Sequence, residues 1–122
     1  MGTTEGMTAN DAGAHATTDD RLFAGQLRLI QPARGHRAGT DAVLLAACLP
    51  EGVSRIADLG ASTGLVGLRA AQMNPHSAVT LIERDENLLP MAEANIAANA
   101  LTQRVTLCPQ DVFRLGQAMN LR

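Results

Sequence analysis

Asp58 and Glu83 are the residues around which chemistry could be built. Asp58 interrupts the apolar run Ile56, Ala57, Leu59 and stands just before the turn Gly60-Ala61-Ser62-Thr63-Gly64, with a further glycine at Gly67. An acid at the carboxyl end of a buried parallel strand lies on the edge where open α/β sheets bind ligands. The glycines let the backbone take positive φ or approach a ligand closely, and the helix that follows offers unpaired amides at its amino end. Glu83 closes the run Ala78-Val79-Thr80-Leu81-Ile82. It stands roughly 20 residues past the glycine turn, the offset at which an acid on the second strand meets the ribose of a bound nucleotide. A nicotinamide-type turn is excluded, because its Gly-x-Gly-x-x-Gly spacing is absent and Asp58 occupies a place where such strands are apolar.

The elements that must position these acids follow from periodicity. The spacing predicts a strand at Arg55 to Leu59 buried on both faces, and then a helix from Leu65 to Met73 whose apolar face holds Leu65, Leu68 and Ala71. Asn74 and Pro75 end that helix. A parallel strand at 78–82 follows the crossover. Residues 85–100 read as a second helix with Asn87 as N-cap, Pro90 tolerated in the first turn, and Leu89, Ala92 and Ile96 buried. Val105 to Cys108 is the third strand. Upstream, Leu27, Leu29 and Ile30 form a short strand, Gln31 to Asp41 a loop rich in Pro and Gly, and residues 41–49 a helix with Thr40 as N-cap. Residues 1–20 lack a periodic apolar face and are expected to be a disordered tail, leaving 21–122 as one α/β domain of parallel strands with flanking helices.

Composition narrows the function classes. The formal net charge is -2, so any polyanionic partner must be held by a local patch. All ten basic residues are arginine; Arg21, Arg28, Arg34 and Arg37 gather near the Pro/Gly loop, where they read either as a phosphate-contacting patch or as a solvated surface. With no Trp or Tyr and two Phe, the chain has few groups on which to stack a nucleobase. Cys48 and Cys108 match no metal or redox spacing and are expected to be buried free thiols. No metal site is nominated, and His15 and His76 read as solvated. The sequence shows neither a leader pattern nor a run of the ~20 apolar residues that would span a bilayer, and a cytoplasmic protein is expected.

Asp58-x-Gly60-x-Ser62-x-Gly64 resembles the first motif of the class I S-adenosylmethionine-dependent methyltransferases, with Ser62 in place of the middle glycine. Gln31, Gly35, Arg37, Asp41, Val43, Leu44, Leu45 and Ala46 resemble the segment before that motif in bacterial adenine-N6 methyltransferases acting on valine tRNA. His36 and Ala38 depart from it where those enzymes carry aromatic residues. The resemblance implies the N-terminal part of a Rossmann-like methyltransferase fold that binds S-adenosyl-L-methionine. It assigns Arg37, Asp58, Gly60, Ser62, Gly64, Glu83, Asp111 and Val112 to the cofactor: Glu83 on the ribose hydroxyls, Asp111 on the adenine amino group and the Val112 amide on the ring. Ala92, Asn95 and Asn99 match the family's second helix in a structural role. The family's catalytic Asn-Pro-Pro-Tyr motif would fall beyond Arg122, so no catalytic residue is nominated. The resemblance further implies a longer parent protein with tRNA as partner, or else a non-catalytic cofactor-binding or interaction module that self-associates through an uncovered sheet edge.

Overall fold

The computed structural model describes residues 16–35 and 37–118. Their elements run β1 (Thr17–Leu22), β2 (Leu27–Pro32), α1 (Thr40–Ala47), β3 (Arg55–Leu59), α2 (Leu65–Met73), β4 (Ala78–Glu83), α3 (Leu89–Ala98), β5 (Val105–Pro109) and α4 (Val112–Ala118). The strands β3, β4 and β5 form a parallel sheet in that order, with Asp58 beside Leu81 and Glu83 beside Pro109. A separate antiparallel hairpin joins β1 to β2, with Leu22 opposite Leu27 and Thr17 opposite Pro32. The α/β class with parallel strands and flanking helices is therefore as the sequence indicates.

Alternation along the central strand sets the layers. Val79 and Leu81 are 1% and 0% exposed and meet Leu65, Leu68 and Ala71 of α2 and Ile96 of α3 in one core. Thr80 and Ile82 point to the other face, where α4 contributes Leu115 to an apolar groove of about 580 Å³ that also holds Ala57, Leu59 and Cys108. β3 is consequently not buried on both faces as its sequence suggests. Ala57 is exposed and Leu59 is 59% exposed, because β3 is a sheet edge and its second face meets only this groove. Cys48 is exposed and Cys108 partly buried, against the expectation of two buried thiols.

The hairpin is held by side chains that copy a strand edge. Asn95 Oδ1 accepts the Ile30 N–H at 2.6 Å and its Nδ2 donates to the Ile30 carbonyl at 2.8 Å. Asn99 repeats the pattern on Arg28, accepting at 2.9 Å and donating at 2.7 Å. Four residues of helix rise about 6 Å and two residues of strand about 6.6 Å, so an i, i+4 pair of amides matches alternate residues of β2. The second Asn95 proton goes to the Thr63 carbonyl at 2.8 Å, which ties the same amide to the glycine turn.

Several boundaries differ from the sequence reading for local reasons. β1 takes in Thr17 to Asp20, which composition placed in the tail; pairing with β2 and polar cross-links such as Arg28–Asp19 at 2.7 Å replace the apolar face that the segment lacks. β2 continues through Gln31 and Pro32, and residues 1–15 of the expected tail lie outside the described residues. α1 begins at Thr40 after Gly39 as N-cap and stops at Ala47. α3 begins at Leu89 with Leu88 as N-cap, because Asp85 first forms a turn, its side chain accepting the Asn87 N–H at 2.9 Å. Pro90 sits in the first turn, where no intrahelical N–H is needed. At the other end of α2, Arg104 donates to the carbonyls of Ala71, Asn74 and Ser77 and satisfies what the helix leaves open.

Asn95 is 0% exposed and has every polar atom paired, so truncating it leaves buried donors and acceptors without partners. Asn95→Ala is expected to lower stability by about 2–4 kcal/mol and Asn99→Ala by about 1–2 kcal/mol, read from urea unfolding of each variant.

Candidate functional site

Asp58, the glycine turn, Glu83 and Asp111 come together at the carboxyl end of the parallel sheet. Asp58 Oδ2 accepts the Gly67 N–H at 2.9 Å, which fixes α2 against the tip of β3. A Cβ at Gly67 would overlap the Leu81 side chain and come within 3.0 Å of Asp58 Oδ2, so glycine is required by close approach. Burial pushes the Asp58 carboxyl up from its ordinary value of 3.8; the Gly67 N–H opposes this and the Glu83 charge adds to it.

The turn then crosses to β4. Gly60 and Ala61 both donate to the Ile82 carbonyl at 2.9 Å, and the Ser62 N–H donates to Glu83 Oε1 at 2.6 Å. Glu83 Oε2 accepts the Arg84 and Asp85 amides, each at 3.0 Å. Ser62 has φ +56, alongside +73 at Gly60 and +104 at Gly64, so the serine occupies the left-handed region that the family's glycine would enter freely. The sequence indicated a residue less free in φ; in the structure the backbone takes the glycine conformation regardless, with the Glu83 bond holding it.

Asp111 does a second task that spacing alone did not reveal. Its Oδ1 accepts the Phe113 N–H at 3.0 Å and its carbonyl accepts the Leu115 N–H at 2.8 Å, so it caps α4. An Asp immediately before a helical run was the available signal. Its Oδ2 faces Arg84 Nη1 at 3.5 Å. Val112 opens α4, and as first helical residue its N–H has no intrahelical partner.

Two cavities flank the turn and share Gly60. One, of about 200 Å³, is lined by Glu83, Arg84, Asp111, Val112 and Phe113. The other, of about 220 Å³, is lined by Arg37, Gly39, Asp41, Asp58, Ser62 and Leu65. The larger apolar groove adjoins the first of these cavities, sharing Ile82 and Val112 with it, but carries none of these acids. Arg37 reaches the second cavity, but its guanidinium is engaged by the hairpin: Nη1 donates to Thr18 Oγ1 at 2.9 Å and to the Pro32 carbonyl, and Nη2 lies 3.2 Å from Asp20 Oδ2. Arg28 is likewise paired with Asp19, so two of the four clustered arginines are neutralised within the hairpin. The Arg28 bond holds the Asp19 carboxyl below its ordinary range, and Gln31, then Thr18 and Arg37, do the same for Asp20. Asp41, which the resemblance matched without assigning it to the cofactor, and Arg84, which it did not name, both belong to the cavity walls. Among the described residues no group of three His, Cys, Asp or Glu is placed to hold a metal, and no helix is long and apolar enough to cross a membrane.

Two outcomes follow. Because the folded Asp58 pKa is raised, its ionisation costs stability as pH rises from 3.8 through the folded value. Asp58→Asn, which keeps an acceptor for Gly67, should be more stable than the parent at pH 7, with the difference vanishing below the ordinary carboxylate range; denaturant titration across pH reads this. Ser62→Gly should raise stability by about 0.5–1 kcal/mol by relieving the left-handed backbone, measurable as a higher melting temperature.

Comparison with known proteins bears directly on this arrangement. The family model for the methyltransferase small domain matches residues 37–121. The chain is 36% identical over 80 residues to the tRNA1(Val) (adenine(37)-N6)-methyltransferase of Klebsiella pneumoniae, covering 64% of this chain and 33% of that protein. It is 38% identical over 78 residues to the enzyme of the same name from Citrobacter koseri, covering 62% and 32%. The chain thus spans about a third of the length of the curated relatives it matches. Among solved structures, TYW2 of Pyrococcus horikoshii in complex with MeSAdo superposes with a TM-score of 0.67 at 18% identity, over 78% of this chain and 36% of that one. Precorrin-6y C5,15-methyltransferase of Geobacter metallireducens gives 0.52 at 20% identity, over 66% and 41%. These likenesses place the fold among the Rossmann-like methyltransferases, and the chain belongs to the methyltransferase small domain family.

Proposed function

We propose that this chain is the S-adenosylmethionine-binding part of a methyltransferase that acts on adenine N6 in tRNA. The observation that carries the reading is the pair of cavities meeting at Gly60, with Glu83 and Asp111 on one and Asp58 on the other. The donor set suits the ligand. Asp111 Oδ2, which Arg84 Nη1 faces at 3.5 Å, can accept from the adenine amino group, Val112 offers its N–H to the ring, and Glu83 Oε1, with one backbone bond, retains capacity for a ribose hydroxyl. The methionine part would lie in the second cavity, along Gly39, Asp41 and the Ser62 turn. Arg37 acts there by fixing the loop, since its guanidinium is held by Thr18, Pro32 and Asp20.

When bound, S-adenosylmethionine supplies an electrophilic methyl group. What this chain's residues supply is orientation: Asp58 and Glu83 set the turn, and the turn sets where the reacting sulfur would sit. Transfer between two oriented groups needs little further acid–base help. The tRNA substrate is carried over from the named relatives, and a cytoplasmic location belongs to the same reading. Arg21 and Arg34 are the exposed arginines of the hairpin region left for phosphate contact.

A second reading, a non-catalytic cofactor-binding module that self-associates, is favoured by the exposed face of β3 and its groove. Sedimentation over a range of concentrations separates the two, since self-association through this edge requires a dimer that Leu59→Arg disrupts.

The cofactor reading is tested by calorimetric titration with S-adenosylhomocysteine. Measurable binding is expected, with Asp58→Ala and Glu83→Ala each weakening it by about ten-fold or more, the scale of a lost hydrogen bond to a charged group. Equal affinity in the parent and both variants would remove the cofactor model.

A further inference from the structure

Arg84 carries the single positive charge on the wall of the 200 Å³ cavity. Its main chain is fixed, because its N–H donates to Glu83 Oε2 at 3.0 Å, whereas its side chain is 73% exposed and reaches across the cavity to Asp111. Asp111 has one carboxylate oxygen committed to the Phe113 N–H. The other, Oδ2, is the acceptor open to the cavity, and it is the oxygen that Arg84 Nη1 faces at 3.5 Å. A ligand group that donates to Asp111 from this cavity must share or displace the guanidinium.

We infer that Arg84 is a latch on Asp111 and sets how strongly this cavity distinguishes adenine from hypoxanthine. The inference rests on the reading of the cavity as an adenosine site. The adenine amino group is a donor and competes with Arg84 for Oδ2. Hypoxanthine has a carbonyl oxygen at the same ring position; the carboxylate repels it, but the Arg84 guanidinium donates to it. Arg84 therefore weakens the preferred base and rescues the wrong one. Hypoxanthine also carries a proton on N1, which the Val112 N–H would oppose, but that effect is common to the parent and Arg84→Ala and cancels when their adenine-to-hypoxanthine ratios are compared.

The pair is exposed and long, so the effect is modest. Arg84→Ala should tighten S-adenosylhomocysteine by about two- to five-fold, the range for releasing a surface ion pair. The same variant should bind S-inosylhomocysteine, the deaminated analogue, no better than the parent chain or more weakly, so that the adenine-to-hypoxanthine ratio rises. Both ligands are titrated calorimetrically into the full chain. If the parent binds S-adenosylhomocysteine in a manner that Asp58→Ala and Glu83→Ala weaken, yet the ratio is unchanged or lower in Arg84→Ala, the latch is wrong and the cofactor site stands. If the parent binds neither ligand, the latch falls together with the adenosine reading.

Discussion

One side-chain amide fixes the polar geometry between parts of this structure that Leu27, Leu29, Ala61 and Ile96 already pack into one core. Asn95 accepts from and donates to Ile30 on β2 and donates to the Thr63 carbonyl in the glycine turn, while its own backbone lies in α3. The hairpin β1–β2 is not part of the parallel sheet, so its outer edge needs partners from elsewhere. Asn95 and Asn99 provide them in the repeat of a strand. With Thr63 held, the chain can pass through Ser62 at φ +56 and still aim the Ser62 N–H at Glu83. The turn is thus placed by a contact more than thirty residues away, and the site inherits its geometry from it.

That dependence explains what the sequence could reveal. Asp58, the glycines, Glu83 and the crossover helix were legible because each is written locally: an apolar run, a turn, an acid at the strand tip. The packed face of α2 was legible for the same reason, since Leu65, Leu68 and Ala71 repeat with the helix period. β1 was not, because Thr17 to Asp20 are polar and become a strand only through β2 and the arginines opposite. The exposed side of β3 could be expected from the resemblance, which implied an uncovered sheet edge, but not from the strand's own residues. A short apolar run looks the same whether one face is covered or both, and what decides is the neighbour in space. Arg37 reads as a free cation until Thr18, Pro32 and Asp20 are placed around it.

The charged groups divide into two kinds with opposite effects on folding. Asp19 and Asp20 are held below their ordinary range by partners in the hairpin, so they favour the folded state above that range and lose the benefit as pH falls. Asp58 is pushed the other way by burial and by Glu83. With the left-handed Ser62, two unfavourable local terms meet at the carboxyl end of β3, although left-handed backbone also occurs at Phe23 and Ala24 in the hairpin turn and at Ala100 after α3.

The three acids also constrain the kind of ligand. Each is tethered by backbone N–H groups: Asp58 by Gly67, Glu83 by Ser62, Arg84 and Asp85, and Asp111 by Phe113. The tethers use part of each carboxylate and leave acceptor capacity facing the two cavities. A glycine turn leading into a helix would ordinarily suit a phosphate. Here carboxylates surround it, and the cation nearest the second cavity, Arg37, is already engaged by Asp20. A pyrophosphate would therefore meet repulsion on several sides. A nucleoside whose hydroxyls and amino group donate hydrogen bonds, joined through a neutral or positively charged link instead of a phosphate, meets the opposite situation at every one of these acids.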